Sequence, residues 1–281
     1  MKALKQFKKL SVAVALLFAL TSIATERVHA QTFTTIHTFD NADGNWPNGE
    51  LIQATDGDLY GTAWFGGPNN YGTVFKITAS GTLTTVYSFC EQPSGNSYCL
   101  DGNYPMAPVI QARNGDFYGV TYYGGANCEN GQQCGTVFSL TPRGKLTTLY
   151  SFCSGVSSQY GCLNGEYGTG IAQAANGDFY GTTTTGGASG YGSVFKITHA
   201  GVLTTEVSFD DTTDGENPMA GLVQATNGLL YGTTSNGGTV FDITEHGSLT
   251  TLIDLNSEYG DEPWGALIQA TDVWRSMVFR T

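Results

Sequence analysis

The side chains able to do chemistry fall into a few recurring groups. Trp46, the pair Trp64-Phe65, Tyr104, the pair Tyr122-Tyr123, Tyr167 and Trp264 sit in or beside segments rich in Gly, Pro and Asn. Flat rings on exposed loops stack on sugar faces or anchor a protein partner; their plainer use is to pack loops against the strands beneath. An acidic turn recurs as Asp43-Gly44 before Pro47, Asp101-Gly102 before Pro105 and Asp214-Gly215 before Pro218, with Asn164-Gly165 and Asp261-Glu262 as looser versions. Asp and Asn cap turns through nearby backbone amides. Asp40 with Asp43, or Asp210, Asp211 and Asp214, also offer oxygen ligands to calcium, although neither set has the EF-hand spacing. No other cofactor is implied. His37, His199 and His246 are scattered, and no G-x-S-x-G, HExxH or P-loop motif occurs. Paired carboxylates would suit a glycosidase, but the acids here follow a repeat, as turn residues do.

The cysteines point to staples rather than metal. Cys90 and Cys99 stand at the same separation and the same place in their unit as Cys153 and Cys162, and Cys128 and Cys134 bracket another loop. An even count in an exported chain predicts three disulfides; spacing alone leaves connectivity open, and the duplicated pair favours 90–99 and 153–162. The absence of CxxC spacing and of His partners argues against zinc.

The elements that hold these groups are repeats. One segment recurs as LIQATDGDLYGT (51–62), VIQARNGDFYGV (109–120), IAQAANGDFYGT (171–182) and LVQATNGLLYGT (222–233), and a fifth copy begins LIQATD (267–272). A second recurs as GTVFKIT (72–78), GTVFSLT (135–141), GSVFKIT (192–198) and GTVFDIT (238–244). A third recurs as GTLTTVYSF (81–89), GKLTTLYSF (144–152), GVLTTEVSF (201–209) and GSLTTLIDL (247–255), with an extra copy, QTFTTIHTF, at 31–39. Each unit reads as four short strands rich in β-branched and aromatic residues, with Asp-Gly and Asn-Gly hairpin turns. Val74, Phe75 and Ile77 put apolar groups on both faces of a strand, so each sheet must pack between two others, as a propeller blade does. No single unit buries enough to fold alone.

The expected fold is therefore an all-β propeller of four-stranded blades. Its units fall at about 51–89, 109–152, 171–209 and 222–255, and a partial fifth at 267–281 is joined by the strand at 31–39, within a single domain spanning 31–281. The loops between strands two and three and those between units share one face and hold the cysteines, the aromatics and every long insertion. The recurrent Tyr60, Tyr118, Tyr180 and Tyr231 are core positions, and the recurrent Gln (Gln53, Gln111, Gln173, Gln224, Gln269) is a structural hydrogen-bonding residue. After Asp272 the fifth copy departs from the pattern, which reads as a shortened chain or a shifted reading frame.

The three ordered segments resemble the GloVer (Gloeo/Verruco) tandem repeats of secreted bacterial proteins. The resemblance implies an extracellular repeat domain and no particular catalytic residues. The N-terminus agrees. Lys2, Lys5, Lys8 and Lys9 precede the short apolar stretch Leu10–Leu20 and a cleavage-like Val28-His29-Ala30, which predicts a signal peptide over 1–30. That stretch is well below the roughly 20 residues that span a bilayer, and no later segment is apolar enough to do so. Lys and Arg number 12 against 24 Asp and Glu, a net charge of −12, which argues against nucleic acid or anionic lipid. The sequence thus predicts a secreted or cell-surface monomer acting as a non-catalytic binding module for polysaccharide or a surface protein. Its ligand candidates are Trp46, Trp64, Phe65, Tyr104, Tyr122, Tyr123 and Trp264; the alternative is a polysaccharide hydrolase or lyase on the same scaffold.

Overall fold

The repeated hairpin signals become repeated sheets. The computed structural model describes residues 33–91, 99–127, 134–157, 161–210, 212–255 and 262–270. The first sheet pairs Asn45–Pro47 and Ile52–Gln53 with Leu59–Phe65, then Thr73–Ile77 and Leu83–Ser88. The second runs Ile110–Gln111, Phe117–Thr121, Thr136–Leu140, Leu146–Ser151. The third runs Glu166–Gln173, Phe179–Thr185, Ser193–Ile197, Leu203–Ser208, and the fourth Val223–Gln224, Leu230–Thr234, Thr239–Ile243, Leu249–Asp254. All pairings within these sheets are antiparallel and follow chain order, and no sheet closes on itself. A small hairpin, Val156–Ser157 with Gly161–Cys162, branches from the third unit. Among the described residues no helix is long and apolar enough to cross a membrane.

Each conserved-looking letter of the repeat has a local reason. Gly57 sits at φ 89° in the first hairpin turn, and its N–H donates to Ala54 O. Asp56 caps this turn by accepting from the Asp58 N–H and also takes the Tyr60 hydroxyl at 2.8 Å, so the core tyrosine is fastened at its polar end. Gly61 follows because the ring of Phe75 crosses it: a Cβ there would lie 2.7 Å from Phe75 Cζ. A bulge at Val74/Phe75 recurs at Val137/Phe138, Val194/Phe195 and Val240/Phe241, turning the third strand so that both neighbours bury apolar groups on the sheet.

The core lies between sheets, as two-faced apolar strands require. Tyr60, Val74 and Phe89 of the first unit pack with Val109, Phe117 and Phe138 of the second. Homologous clusters join the second to the third and the third to the fourth. Tyr60 lies on Phe117 with ring centroids 4.2 Å apart, and Tyr118 on Phe179 at 4.1 Å.

The recurrent glutamine is an inter-unit clasp. The Oε1 of Gln111 accepts from the Thr55 N–H, that of Gln173 from Arg113, that of Gln224 from Ala175 and that of Gln269 from Thr226, at 2.7 to 3.1 Å. The amide nitrogens of Gln111, Gln173 and Gln224 donate to Gly115, Gly177 and Gly228 of their own turns. A second inter-unit contact repeats on the outer side, where Gly144, Gly201 and Gly247 press against the carbonyls of Val86, Leu149 and Glu206.

That second contact locates the orphan segment at the front. Gly81 of the first unit presses in the same way on the Ile36 carbonyl, and Phe39 packs on Phe75 with centroids 5.0 Å apart. Residues 36–39 therefore stand where the fourth strand of a preceding unit would stand. They form no ladder among the described residues, so the strand expected at 31–39 is absent there as a strand, because no third strand lies alongside to pair with it. At the other end Leu267 packs against Tyr231 and Val240, as a first strand of a following unit would. The expected signal peptide and the divergent tail beyond Ala270 lie outside the described residues.

Candidate functional site

The segment between units is more ordered than a loop. Its Asn45 pairs with Phe65, Asn103 with Tyr123, Glu166 with Thr185 and Glu216 with Asn236, so it forms the upstream half of strand one, laid against the end of strand two. The next residue in each unit turns the chain into the left-handed region: Trp46 (φ 56°), Tyr104 (57°), Tyr167 (62°) and Asn217 (55°), with Glu262 (57°) in the partial fifth. The Pro at 47, 105 and 218, and Gly168 in the third unit, follow it. The backbone is held there by neighbours. Tyr104 N–H donates to Tyr71 O, Tyr167 N–H to Cys134 O and Asn217 N–H to Tyr191 O, each from one unit to the previous one.

A bulky residue at positive φ is strained by roughly 1–2 kcal/mol, whereas Asn adopts this region more readily. The fourth unit uses Asn217; the first three use Trp and Tyr. Their rings join those at the end of strand two into one arc. Trp46 meets Trp64 at 5.9 Å and Phe65 at 5.8 Å; Phe65 meets Tyr104 at 5.0 Å; Tyr104 meets Tyr123 at 5.7 Å. Tyr122 then stacks on Tyr167 at 4.8 Å, and Tyr71 flanks Tyr104 at 5.8 Å. Trp46 is 62% exposed, and the others are half-buried. The arc crosses three units on one face and ends where Thr184-Thr185 and Ser235-Asn236 replace the aromatic pair. Six of the seven ligand candidates read from the sequence, Trp46, Trp64, Phe65, Tyr104, Tyr122 and Tyr123, are thus brought together. Trp264 is 65% exposed and makes no ring contact among the described residues; the register position of Trp46 is held in that unit by Glu262. Tyr71, which the repeat alignment does not single out, joins the arc from the loop between strands two and three.

The electrostatics around the arc favour neutral hydroxyls. Burial raises Tyr104 and Tyr122, and Tyr167 is pushed up to about 12 by burial and by the Glu166 carboxylate beside it. Burial also raises Glu166, opposed by a 2.9 Å hydrogen bond from the Thr185 hydroxyl. The Trp64 indole N–H is buried with no partner among the described residues. Glu166 Oε2 lies 3.3 Å from Cys162 Sγ, yet Cys162 is bonded to Cys153, so no thiolate is on offer to a metal. Cys90–Cys99 is the equivalent bridge one unit earlier. Cys128 lies outside the described residues, and Cys134 is buried.

The acidic turns are occupied by capping. Asp43 takes His37 Nε2 at 2.7 Å and the Asp40 N–H at 3.0 Å. Asp101, fully buried, takes the Tyr87 hydroxyl at 2.7 Å and the Glu91 N–H. Asn164 bonds Tyr150. His37, Tyr87 and Tyr150 hold the same place in the third recurring segment, so each turn is tied to the outer strand before it. Asp210 caps Thr212 through both backbone and hydroxyl, which lowers it to about 2, while burial and Asp210 raise Asp214. Asp211 is outside the described residues.

Successive four-stranded antiparallel sheets, packed face to face through shared cores and bearing their variable segments on one face, define a propeller-type repeat protein. The Gloeobacter/Verrucomicrobia repeat model matches residues 18–164 and 156–274. The chain belongs to that repeat family. No curated protein matches the sequence. Among solved structures, a streptogramin B lyase is similar at 19% identity and TM-score 0.51, covering 77% of this chain and 57% of its own. A gluconolactonase from Xanthomonas campestris is similar at 15% identity and TM-score 0.51, covering 78% and 64%. A chain of a nidogen/laminin complex is similar at 13% identity and TM-score 0.51, covering 80% and 69%. The chain thus spans less than two thirds of the lyase and of the lactonase. At these identities the likeness concerns the fold.

Proposed function

We propose that this protein is an extracellular binding module that holds a neutral polysaccharide across its aromatic arc. The observation that carries the reading is the strain at Trp46, Tyr104 and Tyr167. The same fold accommodates Asn at this place in the fourth unit, so the rings are present at a cost that packing of the loop does not require. Strained backbone that projects a particular side chain is a mark of a functional site. Partly exposed rings with protonated hydroxyls suit stacking on sugar faces with hydrogen bonding at the edge. The two disulfides and the acidic surface accord with an exported protein. As an enzyme, the protein would need a carboxylate that breaks the repeat; Glu166 is a half-buried acid beside Tyr167 of the arc, and Glu216 repeats it in the fourth unit.

The test is a glycan array with the full chain and with a Trp46→Ala/Tyr122→Ala variant, run beside capture of surface proteins. Binding of neutral polysaccharides that the double variant loses supports the reading. Absence of glycan binding, with capture of a protein instead, removes the sugar from it.

A further inference from the structure

The fourth unit departs from the others at a second place. In the first three units the loop between strands two and three folds over the end of strand four. Asn69 Nδ2 donates to the carbonyls of Ser88 and Phe89, Asn127 Nδ2 to those of Ser151 and Phe152, and the Ala188 N–H donates to the Ser208 hydroxyl. In the fourth unit this loop shrinks to Asn236-Gly237-Gly238. The residue opposite Thr239, in the register of Ser88, Ser151 and Ser208, becomes Asp254. Where the loop lies in the other units the fourth has an open notch of about 510 Å³, lined by Thr212, Thr213, Thr239, Thr251 and Asp254 with two glycines, of which Thr212, Thr213 and Asp254 are exposed. This volume is in the range of small-molecule sites.

The lining specifies a ligand class. Thr251 donates to the Thr213 carbonyl, which leaves its hydroxyl oxygen as an acceptor, whereas Thr239 is buried and already bonded to the Asp214 carbonyl and the Thr234 hydroxyl. The Asp254 carboxylate is exposed and makes no hydrogen bond or ion pair with the described residues. Among the described residues no Lys or Arg lines the notch, so an anion would meet an uncompensated carboxylate. An acceptor-rich notch calls for a ligand rich in hydroxyl donors, and a carboxylate accepts from two adjacent hydroxyls at once.

We infer that this notch is a second binding site, taking one neutral pyranose through vicinal hydroxyls on Asp254. It shares the loop face with the aromatic arc, and rests on the proposed glycan reading only for the ligand class. Saturation-transfer NMR with methyl glucoside, methyl galactoside and methyl mannoside tests it. The wild-type chain should give signal with at least one glycoside. Asp254→Ser, which restores the residue of the other units, should weaken binding on the order of tenfold through loss of charge-assisted hydrogen bonds. Replacing Asn236–Gly238 by the 186–192 loop should abolish it. Trp46→Ala/Tyr122→Ala removes what the arc contributes and should leave a residual signal that Asp254→Ser then reduces, which separates this site from the arc. Absence of any residual signal in that double variant, a residual signal that Asp254→Ser leaves unchanged, or binding of glucosamine with none of the neutral glycosides would overturn the inference while leaving the arc untouched.

Discussion

Two substitutions at Trp46 separate backbone strain from ring contact. In Trp46→Ala the left-handed φ of 56° remains and the ring is lost. In Trp46→Asn the ring is lost too, but the new residue adopts that φ more readily. Trp46 is 62% exposed, so the buried part is roughly two fifths of a side chain worth about 200 Å², or about 2 kcal/mol at ~25 cal/mol per Å². Relief of strain returns about 1 kcal/mol. Trp46→Ala should therefore lose about 2 kcal/mol and Trp46→Asn about 1. Thermal unfolding followed by circular dichroism should place the Asn variant about 2–4 °C above the Ala variant. Glycan binding should fall equally in both. An Ala variant as stable as the Asn variant would refute the argument that the rim is strained, and with it the ground for reading the rings as functional.

Other outcomes follow from the same geometry. Gln173→Ala removes an inter-unit and an intra-unit hydrogen bond together, and should cost about 1–3 kcal/mol in urea unfolding. Gly181→Ala would set a Cβ 2.4 Å from both the Gly170 carbonyl and the Phe195 ring, and should lower stability by about 1–3 kcal/mol or prevent folding, as read by expression and melting temperature. Glu166 is raised by burial, so its protonated form favours the fold: stability from this group is present at acid pH and is lost as pH rises through the folded value. Glu166→Gln should accordingly melt higher than the wild type at neutral pH, with the gap closing toward pH 4; a gap independent of pH would contradict this. Cys153→Ser/Cys162→Ser should cost about 2–3 kcal/mol by freeing a short loop.

The four sheets were legible because each repeat carried its turns, its Tyr-Gly pair and its two-faced apolar strands in fixed order. The duplicated cysteine spacing likewise pointed to both described disulfides, and the unvarying Gln to a structural hydrogen bond. The upstream half of strand one was not legible. Its Asn-Trp-Pro and Asn-Tyr-Pro triplets carry turn residues, and only the antiparallel partner at the end of strand two makes them strand. Positive φ at Trp and Tyr also runs against local preference, so it is set by the tertiary bonds from Tyr104 to Tyr71 and Tyr167 to Cys134. Trp264 was grouped by residue type and proximity to proline, whereas register assigns that place to Glu262. Segment 36–39 has strand composition but no strand partner among the described residues, and composition alone cannot supply a ladder.

The glutamine clasp has a direction. In every described pair the later unit supplies the side chain and the earlier unit supplies the amide, so this clasp on a unit is closed by its successor. The amides of Thr55, Arg113, Ala175 and Thr226 become reporters of whether that successor is in place. Their exchange with solvent deuterium should quicken in step along the array, and Thr226, held by Gln269, should exchange first. Fraying would then advance backward along the chain, each opened clasp freeing the next.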